Sequence, residues 1–154
     1  MDLSDLITAE DVIPRLRATS KKQALQELAQ RGARVTGLPE RAVFEALLER
    51  ERLGTTGVGQ GVAIPHAKFA DLDRLYGLFA RLEHPIDFES IDDQPVDLLF
   101  VLLAPEDAGA EHLKALARVS RLFRNATLCE KLRASSDAAA LYALLTEPAS
   151  STAA

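Results

Sequence analysis

Seven of the eight residues in Val96–Leu103, "VDLLFVLL", are apolar, with Asp97 the one interruption. Successive side chains of a strand point to opposite faces of the sheet, so a strand with one wet face alternates apolar and polar residues. An unbroken run asks for cover on both faces. Leu75–Leu82, "LYGLFARL", has the same character. Two such strands call for helices on both sides of a sheet, and the remaining sequence supplies them.

Val12–Ala18, "VIPRLRA", reads as a strand whose Pro14 belongs on an edge. Ser20 and Gln23 then form a capping box ahead of Ala24, Leu25, Leu28 and Ala29, a helical stripe that fades at Gly32–Gly37. A second helix starts at Pro39 and carries Val43, Phe44, Leu47 and Leu48 up to Gly54. "GTTGVGQG", with four glycines in eight residues, reads as a tightly bending loop, and Val62–Ile64 as a short strand. Helices are expected at Glu111–Asn125, Thr127–Arg133 and Asp137–Thr146, the last capped by Ser136 or Asp137. The expected fold is therefore α/β, a three-layer α/β/α sandwich around a mixed sheet of about four to five strands. One domain over residues 1–147 and a frayed tail at 148–154, "PASSTAA", complete the reading.

A net charge of -5 argues against a nucleic-acid binder, which needs surplus Lys and Arg to neutralise phosphates. Cys129 is the only cysteine, which fits a reducing compartment. The acidic start "MDLSDLITAED" does not have the pattern of a signal peptide, and no apolar stretch approaches the roughly 20 residues of a membrane-spanning helix. A cytoplasmic location is expected.

The glycine loop fails as a phosphate-binding loop, because Gln60 stands where the motif needs lysine and a helix precedes it. It fails as a dinucleotide fingerprint at Val62. His66, His84, His112 and Cys129 lack metal-ligand spacing, so no metal site is expected, and His84 in "EHPIDF" reads as a solvated turn residue. His66 has a different context. Pro65 fixes the backbone before it, small Ala67 follows it, and the glycine loop offers backbone amides that can cradle an anion. An oriented, neutral imidazole is a nucleophile toward phosphorus at pH 7.

Glu51, Val58, Gly59 and the run Val62–Ala67, within "VGQGVAIPHA", resemble the phosphorylation-site signature of the mannitol and fructose type of enzyme IIA. These are components of the bacterial phosphoenolpyruvate-dependent phosphotransferase system. The resemblance extends from about Leu25 to Leu145, and "IDDQPVDLLF" is especially similar to the nitrogen-regulatory branch, the IIA-Ntr proteins. It implies that His66 accepts a phosphoryl group from an HPr-like carrier, with His112 as a second histidine beside the site and Arg50 near the reactive ring. Thr55, Thr56, Gly59 and the loop amides are expected to add to the phosphate environment. No metal or cofactor is required in this scheme.

Two roles are consistent with that site. A regulatory phosphocarrier would switch its grip on partners, which the resemblance names as potassium transport proteins and sensor kinases. Such a protein contacts membrane proteins peripherally without inserting. The added charge would act on an exposed apolar face around Val58, Val62 and Ile64. The alternative is a IIA carrier for fructose or mannitol uptake that donates to a IIB protein. An interaction module with an unused site is the third reading.

Overall fold

A computed structural model describes residues 2–147; the expected tail at 148–154 lies outside the described residues. Two 3-10 turns, Leu3–Asp5 and Ala9–Asp11, lead into β1 (Val12–Leu16), α1 (Lys21–Thr36) and α2 (Glu40–Leu53). Strands β2 (Gly57–Gly59), β3 (Val62–Ala63), β4 (His66–Phe69), β5 (Tyr76–Ile86) and β6 (Val96–Pro105) follow. Helices α3 (Ala110–Phe123), α4 (Ala126–Ala134) and α5 (Ala138–Thr146) close the described chain.

The sheet is mixed, with order β1-β5-β6-β3-β2 and β4 also paired to β6. Its core strand is β6, every residue of which is buried except half-buried Asp97. Alternation distributes the apolar run to two cores, as its composition requires. Leu99, Val101 and Leu103 pack with α1 and α2, through residues such as Leu25, Leu28, Val43 and Leu47. Leu98, Phe100 and Leu102 pack with Val119 and Phe123 of α3, Leu132 of α4 and Leu141 of α5. The three-layer sandwich follows directly.

Local signals set the helix ends. Ser20 Oγ accepts from Gln23 N at 3.2 Å, while the Gln23 amide oxygen reaches back to Thr19 N at 2.8 Å, closing the cap one residue before the expected box. Asn125 and Asp137 cap α4 and α5 in the same way, accepting from Leu128 N and Ala140 N. Helix α1 passes through buried Gly32 and ends at Thr36 with Gly37 as its C-cap, within the stretch Gly32–Gly37 where the stripe is expected to fade.

Four expectations about strands are corrected. The sheet has six strands, and β1 stops at Leu16. The glycine segment is half of a hairpin, with β2 antiparallel to β3 across Gln60–Gly61. Both turn residues have positive φ, 56° and 81°, the conformation that matches hairpin twist and that glycine adopts without a Cβ penalty. His84 lies within β5 rather than in a turn, and the "HP" signal corresponds to a register shift between Arg81 and Ile86. His84 is exposed, as expected.

The second unexpected strand, β4, positions the site. Val62 and Ala63 pair with Leu98 and Leu99, and His66 through Phe69 continue in the same parallel register against Leu102 through Pro105. Pro65 interrupts the ladder because it has no N–H, yet its carbonyl still accepts from Leu102 N at 2.9 Å. The hairpin partner β2 covers only β3, while α2 packs against β4. His66 thus begins a strand at the open border between the sheet and the end of α2.

Candidate active site

Strand alternation puts His66 on the same face as Val62 and Ile64, the face covered by α3. Helix α3 begins at Ala110 and carries His112 one residue pair later, so the two rings meet at a centroid distance of 5.6 Å and an interplanar angle of 53°. Arg50 arrives from the last turn of α2, and its Nε donates to His66 Nε2 at 3.2 Å. The same guanidinium is steadied by Nη1, which donates to the Gly54 carbonyl at 2.8 Å. The three side chains singled out in the sequence are together, although they come from three different elements.

The hydrogen bonds specify the tautomer of His66. Its Nδ1 lies 2.9 Å from the Ile64 carbonyl oxygen, which can only accept, so Nδ1 carries the proton. Nε2 therefore presents its lone pair, and Arg50 can only donate to it. The ring is held neutral: burial lowers its pKa most, the Ile64 carbonyl pulls partly the other way, and the Arg50 charge lowers it again. His112 is also pushed below the ordinary histidine value, chiefly by burial and then by His66 and Lys68. It is only 4% exposed, and its Nδ1 is buried without a partner.

The loop does not form the expected cradle. Thr56 is buried, with its amide and hydroxyl both donating to the Glu51 carboxylate, the amide at 3.0 Å. Thr55 Oγ1 donates to the Phe88 carbonyl at 3.0 Å and accepts from Gly57 N. Gln60 N is taken by Asp92 Oδ2 at 2.8 Å, and a Cβ on Gly59 would meet that same carboxylate. These amides and hydroxyls satisfy the chain's own carboxylates and carbonyls, so little donor capacity is left for an anion. The apolar face is corrected in part: Val62 and Ile64 are buried, whereas Val58 is exposed, together with Leu53, Ile91 and Leu113 as the large exposed apolar side chains among the described residues.

Lys68 escaped the sequence reading, and Glu51 entered it only as a position of the resembled signature, with no structural role assigned. Glu51 is buried at the end of α2, where it holds Thr56 and pairs with Lys21 Nζ at 2.9 Å. The signal was present, since residue 51 continues the Val43–Leu47 stripe by another four positions, inside a helix end that reads as merely charged. Lys68 is exposed two residues beyond His66 on β4, and its charge acts on both histidines. Without the strand, nothing in the sequence places it on the His66 face.

Among the described residues, no three His, Cys, Asp or Glu side chains gather as a metal-binding group, and no helix is long and apolar enough to cross a membrane. The family model described as phosphoenolpyruvate-dependent sugar phosphotransferase system, EIIA 2, matches residues 5–147. A nitrogen regulatory protein of Bradyrhizobium diazoefficiens is 62% identical over 148 residues, covering 96% of this chain and 97% of its own. Its namesake from Escherichia coli K12 is 43% identical over 148 residues, covering 96% and 91%. The crystal structure of nitrogen regulatory protein IIA-Ntr from Neisseria meningitidis superposes with a TM-score of 0.89 at 36% identity, covering 94% of this chain and 99% of that one.

Proposed function

The chain belongs to the EIIA 2 family of the phosphoenolpyruvate-dependent sugar phosphotransferase system, and from that premise we propose that it is a nitrogen-regulatory phosphocarrier phosphorylated on His66 Nε2. The observation that carries this reading is the pairing of a neutral imidazole, its lone pair on Nε2, with the Nε–H of Arg50. The donor is a phosphohistidine on an HPr-like carrier. Nε2 attacks phosphorus in line, the new N–P bond forms as the carrier's N–P bond breaks, and that electron pair stays on the carrier's ring.

Phosphoryl transfer asks a protein mainly for alignment and for charge on the three equatorial oxygens. As Nε2 becomes bonded to phosphorus, the Arg50 donor loses its acceptor there and turns to a phosphoryl oxygen, a stronger charge-assisted partner. His112 stands beside the ring at a centroid distance of 5.6 Å, and Lys68 adds a positive charge on the same sheet face. The regulatory role is supported by the names of the most similar relatives and by exposed apolar side chains around the site. Leu53 follows Arg50 by one helical turn and is 83% exposed; Leu113 adjoins His112 and is 67% exposed. Phosphorylation adds roughly -1.5 to -2 charge in their midst, which changes what can dock there.

The test is incubation with phosphoenolpyruvate and the upstream carriers, followed by peptide mapping and phosphorus NMR of the modified ring. Acid-labile phosphate on His66 Nε2, abolished in His66→Ala, is expected. Phosphate on another residue or on Nδ1, or none at all, would overturn the reading. Efficient donation from phospho-His66 to a IIB protein, with restored sugar uptake, would replace the regulatory role by transport.

A further inference from the structure

Two strands away from His66, the N-terminal 3-10 turns, the second half of α1 and the start of β5 enclose a cleft of about 510 Å³. Tyr76 at its wall pairs with Leu103 of β6, the residue that also pairs with Ala67 beside His66. Strands in a sheet lie ~4.8 Å apart, so the cleft and the histidine are separate but share the central strand. Its volume falls in the range of about 300–1,000 Å³ typical of small-molecule sites.

The charges lining the cleft are unevenly committed. Arg31, Arg34 and Arg74 all line it, and among the described residues none of the three joins an ion pair. Arg74 is stacked over the Tyr76 ring at 4.1 Å, a flat platform already assembled. The acidic residues on the opposite wall are Asp5, Glu10 and Asp11. Asp5 Oδ2 accepts from Asp2 N at 3.0 Å and Asp11 Oδ2 accepts from Thr8 N at 2.7 Å, so one oxygen of each carboxylate closes a 3-10 turn. Glu10 is exposed.

We propose that this cleft binds a phosphorylated small molecule with a planar group, its phosphate held by Arg31 and Arg34 and its plane stacked on the Arg74–Tyr76 pair. Guanidinium forks match phosphate oxygens in pairs, and the planar guanidinium face accepts a flat ring. The site is independent of phosphorylation at His66, and a ligand there would touch β5, one strand from the strand that backs the histidine.

Amide NMR titration of the whole chain with adenosine 5′-monophosphate and with inorganic pyrophosphate tests the assignment. Saturable shifts are expected within residues 4–11, 31–35 and 74–78 for both probes, with the nucleotide binding more tightly. The double variant Arg31→Gln, Arg74→Gln, and separately Arg34→Gln, should weaken binding about tenfold or more, as expected for loss of charge-assisted hydrogen bonds. Each variant should keep its dispersed spectrum and its phosphoryl acceptance, so failure here is distinguishable from failure of the His66 assignment. Absence of saturation, shifts centred on Arg50 and His66, or unchanged binding by the variants would overturn the site. Equal affinity for the two probes would overturn the stacking.

Discussion

Arg50 donates to the free Nε2 of His66, and on the proposed function it would then donate to the phosphoryl group that replaces the lone pair. A charge-assisted hydrogen bond of this kind contributes about 1.5–3 kcal/mol, so Arg50→Ala should slow acceptance roughly tenfold to a hundredfold without abolishing it. Rapid-quench transfer from the phosphorylated carrier measures this, and a wild-type rate would remove Arg50 from the mechanism. Arg50→Lys keeps the charge but not the fork, and should recover only part of the rate. The depressed pKa of His66 adds a pH signature: acceptance should fall with a midpoint below 6.5, the ordinary histidine value, as the ring protonates and the nucleophile is lost. A midpoint at or above 6.5 in the single-turnover profile would contradict the burial that lowers it.

The hairpin and the end of α2 act as one element, joined by contacts that leave little slack. A Cβ on Gly57 would lie 3.0 Å from the Ser90 backbone and press on the Ser90 hydroxyl, so Gly57→Ala must displace the loop that crosses β2. Overpacking of this sort costs about 1–3 kcal/mol, readable as a lower urea midpoint with an unchanged slope. Glu51→Ala should cost more, about 3 kcal/mol at the lower end of values for breaking a buried pair, because Lys21 and two Thr56 donors lose their acceptor together. Loss below 1 kcal/mol in thermal or urea unfolding would show that water replaces the carboxylate. This element was only partly legible in sequence. The glycines marked a bend, the bend is real, and Val62–Ile64 read as the strand that is β3, but three-residue β2 is too short for periodicity to register. Whether a Thr hydroxyl faces a ligand or Glu51 depends on partners distant in the chain.

Across the whole molecule, burying two neutral histidines makes stability depend on pH. Burial holds both folded pKa values below the ordinary histidine value of 6.5, so the unfolded chain binds protons first as pH falls. The stabilisation is complete above that pH and is lost as pH drops through the folded values. Urea midpoints should therefore fall between pH 7.5 and 5.5, less steeply in His66→Ala, and a flat profile would refute the linkage. At this scale the sequence alone determined the layers: "VDLLFVLL" needed two covered faces, and capped amphipathic helices before and after it could supply them. It also singled out His66, because Pro65 and the glycines control the backbone there through local sterics. Only the tertiary structure decided that Thr55, Thr56 and the loop amides turn away, that Glu51 is buried against Thr56 and Lys21, that Lys68 lies on the His66 face, and that Nε2 keeps the lone pair. Those outcomes depend on which donor meets which acceptor across elements far apart in sequence, and neither propensity nor periodicity carries that information.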